Sequence, residues 1–492
     1  MISIKLIGKE EKKVDAFVAF VFENEVEQNV KDLAHLPDAL LKEVSRLVKQ
    51  KQLQGKEKEV MPLSTIGLLK APFIFFVGLG KREDFYEHTL RKASAHAIKT
   101  LQAHKCVHVV STLPNLHGEL GLDELLQAAA EGYVLGEYAY DLYKKELREK
   151  RTIKTISFLT QQTLATANAL KRARIGTEAV CYVRDLVNMP AEFATPAYLE
   201  KEARALAKKH KLKIRVYGKK ELVKNKMNGI LAVGQGSRHE PRLVVLEYTP
   251  LKKKESLALV GKGITFDAGG LGIKPAEYME DMKGDMAGAA TVLATLKAAI
   301  ELGIKKNIKV YLGLAENMLG AAAYKPGDII TMSNGTTVEV LHTDAEGRVV
   351  LGDALALAAK ENTAIFDFAT LTGAAIVALG HDMTAVMGND ADLVEDVLVA
   401  SRRVGEEAWE LPMRDHHREQ VKSDVADIRN IGKPRMGPGT ITAGCFLEHF
   451  VDKQPWVHFD IAGTGLANAK TDLSPRGGTG AIVRTVLEYL LM

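Results

Sequence analysis

The chain has 492 residues, of which 46% are hydrophobic and 26% charged, the composition of a globular protein with a large buried core. This length predicts more than one domain. The 66 basic residues nearly balance the 62 acidic ones, which argues against a dedicated nucleic-acid binder, because such proteins cluster excess positive charge. A second, DNA-binding role would need a basic stripe formed by assembly.

The cysteines and the N-terminus indicate the compartment. Cys106, Cys181 and Cys445 are widely spaced and form no CxxC pair, which is typical of buried thiols in a reducing environment. Residues 1–6 predict a strand without the apolar core of a signal peptide. The longest weakly polar stretch, residues 368–380, is too short to span a membrane. We therefore expect a cytoplasmic protein with no membrane partner.

Short apolar runs alternate with amphipathic stretches in the first part of the chain. Strands are predicted at residues 16–22, 73–79, 107–111 and 153–159, and helices at residues 37–51, 84–103 and 123–145. The alternation predicts a smaller N-terminal α/β domain, residues 1–162, with a mostly parallel sheet. It contains no cluster of metal ligands and no nucleophile beside a base, so we expect a structural or oligomerising role.

A second α/β domain, residues 163–492, is predicted to start with a connecting helix at residues 165–187, interrupted by Gly176. Thr195 is a predicted N-cap, with Pro196 opening the helix that continues over residues 197–210. Further strands are predicted at residues 213–217, 243–248, 257–266, 309–315, 337–341 and 364–368, and helices at 286–302 and 350–360. This pattern predicts a larger domain with a sheet flanked by helices.

Charged residues cluster around two of these strands, 257–266 and 337–341. They are Lys262 within the first strand and, after the strand ends, Asp267, Lys274, Asp285, Asp344, Glu346 and Arg348. Ligands bind beyond the carboxyl ends of strands in an open parallel sheet, so we expect these groups at one sheet edge. Close like charges need a counter-ion, and two divalent cations with oxygen ligands form a hydrolytic site. Asp344 and Glu346, alternate residues of an extended strand end, would point the same way and share the metal pair.

Each of these residues also has a purely structural interpretation. Asp285, just before a helix, fits an N-cap, and Arg348 could simply pair with nearby carboxylates. Lys262 could extend its ammonium group to the sheet edge, as lysines in apolar segments usually do. Burial can instead lower a lysine pKa, and the neutral amine is a competent metal ligand. Their occurrence together and in order favours a site over a set of independent structural roles.

At these residues the chain resembles the leucyl aminopeptidase family of two-metal cytosol aminopeptidases. One family motif, Asn-Thr-Asp-Ala-Glu-Gly-Arg, corresponds to residues 342–348, where His342 replaces the usual asparagine. A second, Val-Gly-Lys-Gly-Ile-Thr-Phe-Asp with two following glycines and a Lys-Pro, corresponds to residues 260–270 and 274–275. The resemblance covers the chain from about residue 188 to the end. Further similar stretches are residues 285–290, 369–374, 424–430, 439–443 and 460–464, and departures occur at Ala268, Gly352 and residues 474–480.

The resemblance implies a metallo-aminopeptidase, a peptide-bond hydrolase that releases leucine and other residues from the N-termini of peptides. It implies a homo-hexamer with two divalent ions per subunit, Mn²⁺ or Zn²⁺. The tightly held ion would be bound by Lys262, Asp267, Asp285 and Glu346. The more exchangeable ion would be bound by Asp267, by the side chain and main-chain carbonyl of Asp344, and by Glu346. Lys274 and Arg348 would be the catalytic pair, and Met282, Thr370 and Gly373 would line the pocket for the first side chain.

The expected mechanism follows from these parts. One ion would hold the substrate's free amine while the other polarises the scissile carbonyl, which explains the restriction to N-termini. A water bridging the two ions would attack the carbonyl carbon, and Lys274 would stabilise the developing oxyanion. The motifs leave no His or Glu free as a base, and the resemblance implies that a bicarbonate held by Arg348 takes that role.

Two other functions remain open at this stage. A two-metal phosphoesterase also clusters aspartates, but it usually adds histidines, and His342 is the one histidine in these motifs. A non-catalytic binding or regulatory protein could share the fold. Loss of a metal ligand, of Lys274 or of Arg348 would indicate such a protein, and all of them are present.

Overall fold

The computed structural model describes residues 2–8, 13–33, 36–116, 120–144, 146, 148, 151–433 and 437–492. The chain divides into two compact units, Met1–Glu178 with Lys470–Pro475, and Ala179–Ala469 with Arg476–Met492. The domain limits and domain roles expected from the sequence stay predictions. None of the described helices is both long and apolar enough to cross a membrane.

The first unit contains a six-stranded sheet in the order β1-β6-β5-β2-β4-β3. Among its described residues every pairing is parallel except that of β3 with β4, which confirms the mostly parallel sheet. The sequence pattern does not predict β3, because Pro62 interrupts it, and a proline is tolerated there since β3 is an edge strand. The strands are β1 Ser3–Ile7, β2 Ala16–Val21, β3 Val60–Ser64, β4 Phe73–Gly78, β5 His108–Ser111 and β6 Thr155–Leu159.

Helices cover both faces of this sheet because side chains alternate along each strand. Phe20 of β2 lies in a core with the third and fourth helices of the unit, and Val21 lies in a separate core with the first and second. These helices are Val26–Lys31, Asp38–Lys49, Glu87–Ala103 and Leu122–Glu137. The fourth was predicted to continue to residue 145, but it ends at Glu137, and the described residues 138–144 are not helical.

The second unit is built on an eight-stranded sheet in the order β15-β14-β17-β13-β9-β10-β8-β7. The four strands β17, β13, β9 and β10 are mutually parallel, so their carboxyl ends share one edge. Two small sheets, β11-β12-β16 and β18-β19, accompany it. The strands are β7 Lys213–Tyr217, β8 Arg242–Tyr248, β9 Leu257–Asp267, β10 Ile308–Asn317, β11 Ile329–Thr331, β12 Thr337–Glu339, β13 Ala364–Ala369, β14 Thr384–Gly388, β15 Ala408–Glu410, β16 Ile428–Arg429, β17 Trp456–Asp460, β18 Leu466–Ala467 and β19 Gly477–Gly478.

The four helices predicted after residue 163 are present, and the other helices were not predicted. Leu164–Asn188 is one helix that continues through Gly176, and Thr195 caps the following helix by accepting the N–H of Tyr198 at 3.3 Å. The remaining helices are Pro196–His210, Lys219–Lys224, Asn228–Gly234, Ala276–Met279, Ala287–Leu302, Glu346–Glu361, Gly373–Leu379, Ala391–Val404, Asp415–Glu419, Gly439–Glu448 and Val483–Leu491.

One predicted strand belongs to a different sheet from the one expected. Strand β12 is shorter than the predicted 337–341 and pairs with β11 and β16, outside the eight-stranded sheet. The helix after it begins at Glu346 and not at residue 350. Asp344 and Glu346 are therefore not alternate residues of a strand, because the chain turns between β12 and this helix.

Candidate active site

Strand β9 places a lysine in the interior of the sheet. Gly261 lies on the face that packs against the helix Ala287–Leu302, and a Cβ added there would lie 2.6 Å from Ala289 Cα. Lys262, the next residue, points to the opposite face, where β9 packs against the helix Glu346–Glu361. The glycine thus permits close helix packing on one side while the lysine enters the other side.

The ammonium group of Lys262 does not reach solvent. Its side chain is 3% exposed, and Nζ lies 2.7 Å from Asp285 Oδ1, 2.9 Å from Glu346 Oε1 and 2.9 Å from the Thr370 carbonyl oxygen. Burial opposes the charge of Lys262, but Asp285, Glu346 and Asp267 outweigh it and raise its pKa. The expectation of a lysine extending to the sheet edge is therefore wrong. Without a metal ion, Lys262 is the buried counter-ion of the carboxylates.

Asp267 ends β9 and is paired with Lys274. Its Oδ1 accepts hydrogen bonds from Gly269 N at 2.9 Å and from Asn317 Nδ2 at 2.8 Å. The ammonium group of Lys274 lies 2.9 Å from Asp267 Oδ2 and 2.5 Å from Asp344 Oδ1. Burial and neighbouring carboxylates raise the pKa of Asp267 well above its usual value, although Lys274 lowers it. The ammonium group of Lys274 therefore bridges the carboxylate of Asp267, at the end of β9, and that of Asp344, in the segment after β12.

Asp285 is not a helix cap. The N-cap of the next helix is Met286, and Asp285 Oδ1 accepts hydrogen bonds from Lys262 Nζ at 2.7 Å and from Thr370 Oγ1 at 2.6 Å. Its Oδ2 is buried and, within the described residues, has no hydrogen-bond partner. Burial raises its pKa, as does the charge of Glu346, against the lowering effect of Lys262. One carboxylate oxygen of Asp285 is thus available to a further ligand.

Asp344 and Glu346 complete the group of carboxylates. One oxygen from each of them and one from Asp267 lie within 4.8 Å of one another, a spacing that a metal ion can bridge. Glu346 is the first residue of its helix, where the helix dipole favours negative charge. Burial alone would raise the pKa of Glu346, but Lys262 and Lys274 outweigh it and lower the pKa.

Arg348 is the third residue of the same helix and is buried. Its Nη1 donates to the Asn430 carbonyl oxygen at 2.8 Å, and its Nε has no hydrogen-bond partner among the described residues. Burial lowers its pKa to about 10, against the raising effect of Glu346 and Asp460. Arg348 also lines a cavity of about 430 Å³. The lining residues are His342, Asp344, Ala345, Arg348, Leu371, Thr372, Gly373, Ile431, Gly432, Gly437, Gly439 and Thr442.

The three residues expected to line the pocket for the first side chain lie in two segments. Met282 is in a short turn just before Asp285, and Thr370 and Gly373 follow β13. Gly373 lines the cavity, and a Cβ there would meet no atom of the described residues within 4 Å. Thr370 contacts Asp285 with its hydroxyl and Lys262 with its carbonyl.

Comparison with known proteins places this arrangement in a family. The catalytic-domain model of the cytosol aminopeptidase family matches residues 181–487, and its N-terminal-domain model matches residues 18–147. The chain belongs to the cytosol aminopeptidase family. A probable cytosol aminopeptidase of Geobacter sp. (strain M21) is 42% identical over 453 residues, covering 91% of each chain.

Solved structures of this family agree. A tomato leucine aminopeptidase mutant superposes with a TM-score of 0.87 at 31% identity, over 100% of this chain and 96% of that one. The bottromycin maturation enzyme BotP in complex with Mn superposes with a TM-score of 0.86 at 33% identity, over 97% and 98% of the two chains. The predicted two-domain α/β fold and metallo-aminopeptidase activity are confirmed, and the chain is a peptidase.

The two alternative functions, a two-metal phosphoesterase and a non-catalytic binding protein, are not supported. Among the described residues, the group able to hold a metal consists of carboxylates, whereas a phosphoesterase site usually adds histidines. His342 instead accepts a hydrogen bond from the Asp344 N–H through Nδ1, at 3.1 Å. A non-catalytic protein is excluded by the membership of this chain in an aminopeptidase family.

Several supporting residues of this aminopeptidase were not predicted as site residues. Asn317, at the carboxyl end of β10, donates to Asp267 Oδ1 at 2.8 Å and to the Thr343 carbonyl at 3.0 Å. Asp460, at the end of β17, accepts the N–H of Leu371 at 3.0 Å and the hydroxyl of Thr372 at 2.6 Å. A search for polar residues at the carboxyl end of every parallel strand would have found both.

Proposed function

We propose that the active site holds two divalent ions, Mn²⁺ or Zn²⁺, and uses Lys274 and Arg348 to remove N-terminal residues from peptides. The tightly bound ion would be held by Lys262, Asp267, Asp285 and Glu346, and the exchangeable ion by Asp267, Asp344 and Glu346. The observation that carries this proposal is the convergence of four carboxylates on the buried Lys262 and the half-buried Lys274, with Asp285 Oδ2 lacking a partner among the described residues.

The excess negative charge of the site favours the binding of further cations. The pKa values of Asp267, Asp285 and Asp344 are raised by burial together with the charge of other carboxylates. Lys262 and Lys274 therefore do not fully compensate the negative charge of the site. Oxygen-rich sites of this kind suit hard divalent ions, and the donor set fits Mn²⁺ or Zn²⁺.

When bound, the ions would hold the substrate amine, polarise the scissile carbonyl and make water acidic. Lys274 would then be released from its pairing with Asp267 and Asp344, since both carboxylates are proposed ligands. Its ammonium group would donate a hydrogen bond to the carbonyl oxygen as negative charge develops there. Such a donor acts more strongly in a buried site than in water.

Arg348 is proposed to bind the anion that serves as the base. Its Nη1 is fixed by the Asn430 carbonyl, while Nε has no partner in the part of the chain that the structure describes. A planar anion such as bicarbonate matches the fork of a guanidinium group. The fixed position of Arg348 at the cavity wall would hold this base near the attacking water.

We propose that Met282, Thr370 and Gly373 line the pocket for the first side chain; of these three, Gly373 lines the cavity described above. The absence of a side chain at Gly373 leaves open space at its wall. We further propose a cytoplasmic homo-hexamer in which the N-terminal domain is structural or oligomerising. This part rests on the family resemblance and on the names of the relatives, which describe cytosol aminopeptidases.

The test compares leucine amide with N-acetyl-leucine amide, using the chain loaded with Mn²⁺ or Zn²⁺ and the chain treated with a chelator. We expect hydrolysis of the free-amine substrate by the loaded protein and little or none of the acetylated one. Equal hydrolysis of both substrates would contradict the proposed anchoring of the amine. Hydrolysis undiminished by chelation would contradict the proposed role of the ions.

A further inference from the structure

Thr343 joins the two segments that carry Lys274 and Asp344, and it is fully buried. Its hydroxyl donates a hydrogen bond to the Gly269 carbonyl oxygen at 2.7 Å and accepts one from the Gly272 N–H, also at 2.7 Å. A hydroxyl group has one donor and two acceptor positions, so a single side chain can bind both sides of a loop. The segment that carries Lys274 is thereby tied to the residue that precedes Asp344.

The loop of residues 268–274 closes around this hydroxyl. The N–H of Lys274, its last residue, donates to the carbonyl oxygen of its first residue at 3.0 Å. Gly269 and Gly270 have φ angles of 89° and 61°, a conformation that favours glycine. A Cβ at position 270 would lie 3.2 Å from the Cβ and Oγ1 atoms of Thr343. The backbone of the loop is thus packed closely against the Thr343 side chain.

The main chain of Thr343 is fixed independently of its hydroxyl. The Thr343 carbonyl oxygen accepts hydrogen bonds from the Tyr324 hydroxyl at 2.7 Å and from Asn317 Nδ2 at 3.0 Å, and both donor residues are buried. Loss of the hydroxyl should therefore release the loop of residues 268–274 while the turn that carries Asp344 keeps its position.

The hydroxyl has a larger share in holding the loop once ions are bound. In the structure the ammonium group of Lys274 is also held by two carboxylates, and both of these are proposed metal ligands. When they bind ions, these pairs are lost and the hydrogen bonds of Thr343 remain. Leu271 and Ile273 are 47% and 57% exposed, so the packing of these two side chains contributes little to the position of the loop.

We propose that Thr343 is a positioning residue of the peptidase, whose hydroxyl holds residues 268–274 so that the Lys274 ammonium group reaches the scissile carbonyl oxygen. This inference rests on the proposed role of Lys274 as the donor to that oxygen. Thr343 acts through Lys274 because its own side chain is buried beneath the loop. A misplacement of about 1 Å at a catalytic group costs on the order of 100-fold in rate, so the position of the loop matters.

The first experiment removes the hydroxyl from the metal-loaded protein and measures kcat for leucine amide. Thr343→Val keeps the shape of the side chain, and we expect kcat to fall by roughly tenfold to 100-fold at unchanged metal content. Thr343→Ser keeps the hydroxyl and should retain a kcat near that of the wild type. Thr343→Ala, compared with Thr343→Ser, isolates the hydroxyl if valine disturbs folding. Thr65→Val is the matched control, because Thr65 is a buried threonine of the first unit whose hydroxyl donates to the Ala71 carbonyl oxygen at 2.7 Å.

A double-mutant cycle with Lys274→Ala tests whether Thr343 acts through this lysine. In the Lys274→Ala background, loss of the Thr343 hydroxyl should change the residual kcat by less than about twofold, because both changes remove the same interaction. Amide hydrogen exchange of residues 268–274, measured on the metal-loaded protein without substrate, should be faster in Thr343→Val than in the wild type.

The outcomes separate this inference from the proposed function. Equal falls in kcat in both backgrounds, unchanged hydrogen exchange of residues 268–274, or a Thr343→Ser protein as slow as Thr343→Val would each overturn the inference while leaving the proposed function intact. A normal kcat of Lys274→Ala with both ions bound would overturn the proposed role of Lys274, and this inference with it.

Discussion

Gly347 leaves the space that the side chain of Lys262 occupies. A Cβ at position 347 would lie 2.3 Å from Lys262 Cε and 2.7 Å from its Nζ, closer than such atoms can pack. Gly347 lies inside the helix Glu346–Glu361, where alanine is ordinarily better by about 1 kcal/mol. The glycine is therefore explained by the lysine on the neighbouring strand.

Gly347→Ala is expected to displace Lys262 and so to lower both metal content and turnover. We expect turnover to fall by a factor of about ten or more, because a misplacement of about 1 Å at a catalytic site costs on the order of 100-fold. Metal content by elemental analysis, turnover and helix content by circular dichroism are the measurements. A folded variant with full metal content and wild-type turnover would show that Lys262 can move without consequence.

Lys262→Arg is expected to weaken the tighter metal site. The guanidinium keeps the positive charge but stays protonated, so it offers no lone pair to a metal ion. Competitive chelation should give a lower affinity for the variant than for the wild type at a fixed neutral pH. Lys325→Arg, at an exposed lysine, is the matched control and should behave as wild type. Equal affinities in all three proteins would mean that Lys262 is not a ligand.

Active protein is expected to contain two divalent ions per chain. Chelation should abolish turnover, and reloading with Mn²⁺ or Zn²⁺ should restore it, because the clustered carboxylates otherwise repel one another. Elemental analysis before chelation, after it and after reloading checks the stoichiometry. Full activity at zero metal content is the outcome that excludes this model.

Lys274→Ala and Arg348→Ala are expected to reduce turnover while leaving the fold intact. Removal of one donor to a developing oxyanion costs on the order of 2.7–4 kcal/mol, a factor of about 100 to 1,000. Turnover, metal content and thermal midpoint should be measured together, with Lys325→Ala as the control. Near-normal turnover of Lys274→Ala with both ions bound would refute its proposed role.

The buried pair of His458 and Asp367 is expected to make a pH-dependent contribution to the stability of the folded state. It is fully buried, with Nδ1 2.7 Å from Asp367 Oδ1. Burial opposes its charge, but Asp367 outweighs burial and raises the pKa of His458. The stabilisation is complete below the unfolded pKa of about 6.5 and is lost as pH rises through the raised folded pKa.

The thermal midpoint of the wild type should therefore fall more steeply above about pH 6.5 than that of His458→Gln. Thermal unfolding of both proteins in the same buffers, at matched metal content, measures the difference between the two slopes. The lower midpoint expected for the variant at every pH does not affect this comparison. Parallel pH profiles would show that the pair with Asp367 does not titrate as described.

The strands and helices predicted between residues 163 and 368 are present near their expected positions, whereas none of the elements after residue 368 was predicted. Strand β9 is mostly apolar apart from Lys262, Thr265 and Asp267, as expected for a strand buried on both faces, and Thr195 with Pro196 begins a helix as their capping chemistry requires. Strand β3 and the helix Val26–Lys31 were missed because each is short, and Pro62 interrupts the strand. Periodicity over so few residues carries little information.

The sequence alone determined the family and the residue types of the site, because both depend on local patterns such as residues 260–270 and 342–348. Only the tertiary structure decided the surroundings of each group. In the structure Lys262 is buried among hydrogen-bond acceptors, and Asp285 accepts a hydrogen bond from this lysine and does not cap a helix. Asn317 and Asp460 contribute further hydrogen bonds from other strands. The physical reason is that burial and charge pairing depend on distances between segments far apart in the chain, which local side-chain periodicity does not encode.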